Sequence, residues 1–446
     1  KTINVGQVDY QIAAATSTLN DAATGSLPVW TPATSEAFAT YGVVDQGAVS
    51  QAIETPKQVL PQFGELKITT SSTALQSLSD AFIYLQNYPY SCSEQIASRM
   101  LSTAALKDVL QAFKTKDLPS PEAIEQSMQR DLENLAKRQT GEGGFSLWGS
   151  GSQDWPYANV HVAHALIRAK EKGYKVDQYM LEQSMNYLKN IEQHFPKEYS
   201  PEVRRYIKAY SLYVRQLVGD EDPAKAQALI KQEGGVTKLS TEALGWLLNV
   251  LASHPASAKA REELLRELMN RTQETAAGAT LRSDFGAGDY WVMHSDRTAN
   301  GIVLEALIKA QPKSDLIPKL VKGIQTERTQ GHWGTTQANA FILLGLDKYF
   351  QQYEAQTPDF VAKAWLGNDF AGEQSFKGRS MDSVETDIPM AWLLKGEQRR
   401  DLVLDKQGAG RLYYRIGLKY APESLDLAAM EQGFSVTRSY RGLDNP

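Results

Sequence analysis

Residues 86–100, QNYPYSCSEQIASRM, hold the single cysteine of a 446-residue chain and the start of a helix. Pro89 closes the helical window before it, and Ser91 followed three residues later by Glu94 reads as a capping box. Cys92 and Gln95 are thereby predicted in the first turn of a new helix, where residues three apart share a face and the thiol can meet the carboxamide. Unpaired N–H groups and the dipole at a helix start favour a thiolate, so a lowered thiol pKa is expected there. Attack of that sulfur on the Gln95 carboxamide with loss of ammonia would leave an internal thioester. Such a bond is a stored acylating group that lasts only where the fold keeps water and amines out. On spacing alone, a buried free cysteine beside a helix cap is the commoner meaning of the pattern.

Outward from this stretch, helical windows separated by Gly, Pro and Ser run from about 71 to 352, roughly a dozen in pairs. Segments such as VHVAHALIRA, TEALGWLLNVL, NGIVLEALIKA and ANAFILLGL are apolar on more than one face, which suits an inner layer of helices covered by an outer one. Glycine-rich turns with a nearby Trp recur at 141–151, 285–291 and 331–336. Together these predict a mainly α fold, an α/α toroid of about twelve helices in two concentric layers. Before about residue 60 and after about 360, short alternating runs with prolines read as strands, so β segments bracket the helices. The expected division is 1–62 β, 63–358 helical, 359–422 β and 423–446 the opening of a further domain, with GFSVTRSY as its first strand. A start at Lys1 without a signal segment suggests a mature chain or a piece of a longer one.

Composition narrows the function classes. Lys plus Arg number 47 against 52 Asp plus Glu, a net charge of -5 without long like-charge runs, so the electrostatic footprint of a nucleic-acid binder is missing. No run approaches the ~20 apolar residues of a membrane-spanning helix. A lone cysteine excludes an internal disulfide and any cysteine-rich zinc site.

The segment YPYSCSEQ resembles the thioester motif of the α2-macroglobulin and complement family, above all its bacterial α2-macroglobulins, in which Tyr-Pro-Tyr precedes Cys-x-Glu-Gln. The order of β, helical and β segments resembles the family's order too. That resemblance implies a thioester domain inserted in a β-sandwich CUB domain, followed by a C-terminal macroglobulin-like domain. It makes Cys92 the thioester sulfur and Gln95 the acyl group passed to a target. Glu94 matches the family's Glu, with a polarising or a capping role, and Tyr88 and Tyr90 fall where bacterial relatives shield the bond. The implied function is a broad-spectrum protease inhibitor that traps proteases covalently through their lysine amines. It is a single-turnover acylation and not an enzyme, with no cofactor and no metal. The implied partners are target proteases and the C-terminal macroglobulin domain of the same full-length chain, without nucleic acid. The implied location is the periplasm, within a lipid-anchored inner-membrane protein.

Of the six histidines, His194 lies at the distance from Cys92 at which some complement relatives place an acyl-relay histidine. His161 and His164 share a helix with apolar neighbours and read as core or rim residues. Three other readings stay open. A cysteine hydrolase or acyltransferase would pair Cys92 with His161 and with Asp154 or Asn159. A toroidal glycoside hydrolase would draw carboxylates from Glu142, Asp154, Asp284 and Asp289. A non-covalent binding module would simply bury Cys92.

Overall fold

The structure is a computed structural model that describes residues 6–29, 36–75, 78–113, 119–149, 151, 154–231, 234–275, 278–283, 285, 288–423, 437 and 439. Asp284 and, apart from Thr437 and Ser439, the expected strand GFSVTRSY lie outside these residues.

Strands β1 (Gly6–Ala15) and β2 (Asn20–Val29) form an antiparallel hairpin. Strands β3 (Glu36–Val44), β4 (Gly47–Glu54) and β5 (Val59–Ser71) follow, and the chain then enters its helices. These are α1 (Leu78–Gln86), α2 (Ser93–Phe113), α3 (Pro121–Ala136), α4 (Pro156–Glu171), α5 (Gln178–Lys189) and α6 (Pro201–Gln216). The series continues with α7 (Pro223–Lys231), α8 (Thr241–Leu251) and α9 (Ala258–Asn270). A short hairpin, β6 (Thr272–Thr275) and β7 (Gly278–Leu281), precedes α10 (Asp296–Ala310), α11 (Leu316–Thr326) and α12 (Thr336–Tyr353). Strands β8 (Asp359–Leu366), β9 (Asp369–Lys377) and β10 (Ser383–Pro389), the short helix α13 (Met390–Leu393), and strands β11 (Arg399–Ala409) and β12 (Leu412–Pro422) complete the order.

The even-numbered helices pack in a closed ring, with α2 on α4 and α12, α6 between α4 and α8, and α10 between α8 and α12. The odd-numbered helices from α1 to α11 sit outside, as α5 does on α4 and α6 and α11 on α10. An inner helix has no water-facing side, which is why all fourteen residues of α4 from Pro156 to Ala169 are buried. The ring is tight because small residues let backbones touch. A Cβ added to Gly301 on α10 would lie 2.6 Å from the Ile342 nitrogen of α12, and one on Gly345 would lie 2.6 Å from the Gly301 oxygen.

The expectation of a mainly α chain, an α/α toroid set in a β-sandwich CUB domain, is overturned as the fold class. The chain is 47% helix and 27% strand with several antiparallel sheets, a mixed α and β protein. One four-stranded sheet has the order β10-β5-β12-β3 and the other β4-β11-β8-β9, so strands from before and after the helices pair with each other. Alternation along β8 puts Phe360, Ala362, Ala364 and Leu366 into a core shared with Leu66, Ile68, Leu402, Leu404 and Ile416 of both sheets. The hairpin β6–β7 is a further strand pair that helical periodicity conceals: it interrupts the run of helical windows expected from about 71 to 352, with α9 ending at Asn270. Thr272, Thr275 and Gly278 there favour a turn and pairing over another helical turn.

The sheets are fastened to α12 by polar contacts. Buried Glu354 accepts from the Thr73 hydroxyl at 2.5 Å and the Ala74 N–H at 2.8 Å, and the hydroxyls of Tyr349 and Tyr413 meet at 3.0 Å.

Gly301→Ala sets two effects against each other. Alanine gains up to ~1 kcal/mol of helix propensity, but the added methyl must push α10 from α12, which costs about 1–3 kcal/mol. The thermal unfolding midpoint is expected to fall; a rise would show that the backbones are not in contact.

Candidate functional site

Helix α1 ends at Gln86, a Pro-containing turn follows, and α2 begins at Ser93. The Cys92 carbonyl accepts the first intrahelical bond, from Ile96 N–H at 2.9 Å, which makes Cys92 the capping residue. Gln95 is then the third helical residue, and its Oε1 accepts the Cys92 N–H at 3.0 Å. This is the return bond of a capping box, shifted one residue from the Ser91–Glu94 register that the sequence suggests. The shift matters chemically. It folds the Gln95 carboxamide back over Cys92 and polarises its carbonyl with a backbone N–H.

Cys92 is 6% exposed. Burial pushes its pKa up, against the N–H groups of Gln95 and Glu94 and the charge of Arg138, which pull it down, while the Glu94 charge adds to the rise. The helix start therefore acts in the expected direction, but desolvation outweighs it, and the expected lowered pKa is corrected to a raised one. The resting thiol keeps its proton at neutral pH.

The glycine turn after α3 closes one side of the site. Ser93 donates its N–H to the Leu147 carbonyl at 2.8 Å and its hydroxyl to that of Ser146 at 2.7 Å. Arg138 reaches the Leu147 carbonyl at 3.1 Å and the Ser93 hydroxyl at 3.3 Å. Aromatic rings follow one another from α1 into the turn before α2: Tyr84 meets Tyr88 edge-on at 5.6 Å, and Tyr88 meets Tyr90 at 6.0 Å. Tyr84 also stacks on His332 at 3.9 Å and donates its hydroxyl to Gly334 at 2.8 Å, tying α1 to the turn before α12. Tyr88 is half-buried and Tyr90 is exposed.

Glu94 points into the ring of inner helices and is 1% exposed. It accepts from Ser98 at 2.7 Å and from Thr336 of α12 at 3.2 Å, and its Oε1 lies 3.8 Å from His161 Nε2. Burial raises its pKa, and the two hydroxyl bonds oppose that rise. It does not return to the Ser91 N–H, so of its two expected roles the capping contact is not the one made. His161 and His164 are both completely buried, core residues as the sequence suggests, and burial lowers the His161 pKa to about 3.

The residues of the cysteine-hydrolase reading are otherwise engaged. Asp154 accepts from Asn159 and, at 2.7 Å, from the Tyr187 hydroxyl, while His161 bonds Ser98 and Tyr210. Among the described residues no hydrogen bond joins a histidine to the Cys92 thiol. His194 stacks on Tyr187 at 3.9 Å and meets Glu142 at 3.3 Å. Sequence reasoning missed Ser98, Thr336, Arg138, Tyr84 and His332 as neighbours of the site. Ser98 was findable, four residues after Glu94 on one helix face. The others come from distant segments and carry no local signal.

No family model matches the sequence. It is 25% identical over 394 residues to an alpha-2-macroglobulin homolog of Nostoc sp., which covers 85% of this chain and 20% of that protein. With an alpha-2-macroglobulin homolog of Yersinia pestis it is 22% identical over 313 residues, 68% of this chain and 15% of the other. The chain is related to the bacterial alpha-2-macroglobulins.

Alpha-2-macroglobulins are a protease-inhibitor family rather than one of turnover enzymes. An alignment covering 99% of the chain at 24% identity is made with Circularly permutated Ras protein 2 of Dictyostelium discoideum, of which it spans 13%. The chain therefore spans about a fifth or less of these curated relatives. Two Escherichia coli alpha-2-macroglobulin structures share the fold. The native form from domain MG7 to the C-terminus covers 96% of this chain and 64% of that one, with a TM-score of 0.53 and 17% identity. The trypsin-activated form covers 96% and 28%, with a TM-score of 0.63 and 16% identity. The resemblance read from YPYSCSEQ is thus borne out at the level of family.

In Gln95→Ala, Cys92 must remain a thiol while both backbone N–H groups still face its sulfur. Its alkylation rate against pH is expected to show a midpoint above the ordinary thiol range, moved further up by adding Arg138→Ala. A midpoint at or below that range would mean that the helix start, and not burial, governs the sulfur.

Proposed function

We propose that this chain carries the reactive centre of a protease-trapping alpha-2-macroglobulin, with Cys92 and Gln95 joined as an internal thioester. The observation that carries the reading is the Gln95 side chain turned back onto Cys92 at the buried start of α2, held by the bond from the Cys92 N–H to Gln95 Oε1 at 3.0 Å. Closure forms the Sγ–Cδ bond, breaks the Cδ–N bond and releases ammonia, which takes up the thiol proton. A lysine amine of a protease then attacks the same carbon, leaving an amide on Gln95 and a free thiol on Cys92. Each molecule reacts once.

Burial explains why such a bond endures. Only a buried niche keeps water from an activated ester, and the same burial that raises the thiol pKa excludes the competing nucleophile. Tyr88 and Tyr90 act as the outer screen, and a C-terminal macroglobulin-like domain of the full-length protein would complete it. His194 is bound to Tyr187 and Glu142, which favours direct attack by amines over relay to hydroxyls. One relative of this fold is a Salmonella alpha-2-macroglobulin reacted with methylamine, as this chemistry requires of that protein.

Intact mass tests the reading. Fresh protein is expected to be lighter than its sequence by one ammonia and to gain one methylamine on treatment, while Cys92→Ala does neither. Full sequence mass in fresh protein, with no adduct on Gln95, would contradict it.

A further inference from the structure

The inner helices enclose a line of polar side chains that begins at Glu94 and leads away from Cys92 through the core. Ser98 of α2 lies 2.9 Å from His161 Nε2 of α4, and His161 Nδ1 lies 2.9 Å from the Tyr210 hydroxyl of α6. The same hydroxyl lies 3.0 Å from His164 Nδ1, and Arg168 Nε reaches His164 Nε2 at 3.2 Å. Arg168 is itself held by Glu305 of α10 at 2.8 Å and by the Tyr213 hydroxyl at 2.9 Å. Ser98, His161, His164 and Tyr210 are all wholly buried. An apolar filling of the same volume would be the ordinary solution for such a core, so a fully bonded polar line calls for a purpose.

Its direction is fixed by one residue. A guanidinium has donors only, so His164 Nε2 must accept from Arg168. Burial and the Arg168 charge keep the His164 ring neutral, so its one proton sits on Nδ1 and is donated to Tyr210. Tyr210 then gives its own proton to His161 Nδ1, which places the His161 proton on Nε2, facing Ser98. Ser98 donates to Glu94 Oε1 at 2.7 Å. Every bond runs from Arg168 toward Glu94.

We propose that Arg168 and Tyr210 are positioning residues for the chemistry at Cys92 and Gln95, aligning a one-way hydrogen-bond chain on Glu94 so that its carboxylate accepts the proton of an attacking amine and delivers it to sulfur. The step balances. The amine nitrogen bonds the Gln95 carbonyl carbon, the carbon–sulfur bond breaks, and the proton lost by nitrogen passes through Glu94 to the Cys92 sulfur. The groups that face or electrostatically couple to Glu94 are Ser98 on its own helix, His161 and Tyr157 of α4, Thr336 of α12, Tyr84 of α1, and the Cys92 thiol. None of the facing side chains brings a permanent positive charge, which leaves hydroxyl donors to hold the ionised carboxylate. The proposal rests on the thioester reading above.

The test uses the chain described here. Methylamine-triggered release of the Cys92 thiol is followed against pH, with rate constants corrected for the fraction of unprotonated amine. Glu94→Gln is expected to slow release on the order of 100-fold and to remove the acidic limb of the profile. Ser98→Ala removes the hydroxyl that donates to Glu94, and Tyr210→Phe releases the His161 tautomer that keeps Ser98 aimed at it, so in each the Glu94 pKa rises and the limb moves to higher pH. A purely structural role would lower the unfolding midpoint of these variants and leave the limb in place. If the parent chain shows neither ammonia loss nor thiol release, the thioester reading fails and this proposal with it. If the parent reacts while all three variants keep its limb and its rate within about twofold, the proposal alone is overturned.

Discussion

A single glutamine side chain, folded back to satisfy the backbone N–H of the residue that caps its own helix, is the contact on which the proposed chemistry of this protein depends. In an ordinary capping box the side chain three residues in is a glutamate or glutamine that merely tidies an unpaired donor. Here the capping residue is a cysteine, and the tidying brings a carboxamide back onto that cysteine's own backbone N–H. Burial then decides between two electrostatic effects at the sulfur. The N–H groups and Arg138 favour the thiolate, and desolvation disfavours it more strongly. A thiol that is reluctant to ionise is a poor leaving group, and this slows the loss of an acyl group from it as well as its own oxidation.

The rest of the fold serves that constraint. A reactive carbonyl stays dry only if the helix that bears it is surrounded, and α2 is covered by α4, α12, α1 and α3. The glycine turn at 141–149 lies across its first residues through Ser146 and Leu147. Glu354 and Tyr349 at the far end of α12 anchor the sheets, so the helix that supplies Thr336 to Glu94 is also the one that holds the two parts of the chain together.

Much of this was legible in the sequence. The Gly, Pro and Ser breaks between helical windows fell near the helix starts, where a short oxygen-bearing side chain can accept the unpaired N–H groups. Ser200, Ser240, Ser295 and Thr335 each do so in the structure. The weight of β structure was underestimated, since a short hairpin such as β6–β7 has too few residues for period-two alternation to rise above the helical pattern on either side. The three Trp-bearing turns looked alike, yet Trp148 is 58% exposed and Trp333 fully buried, because burial is set by neighbours distant in the chain. The cap register failed for a related reason. Glu94 could close a box with Ser91 locally, but Ser98 and Thr336 offer it two donors inside the ring. The contact of Gln95 with the Cys92 backbone did not depend on that register, as spacing alone put the two on one face.

The most direct measurement is a crystal structure of unreacted protein at a resolution that separates bonded from non-bonded atoms. Continuous electron density from Cys92 Sγ to Gln95 Cδ, with no amide nitrogen on Gln95, is what the account predicts. A separate thiol and an intact carboxamide in van der Waals contact would contradict it.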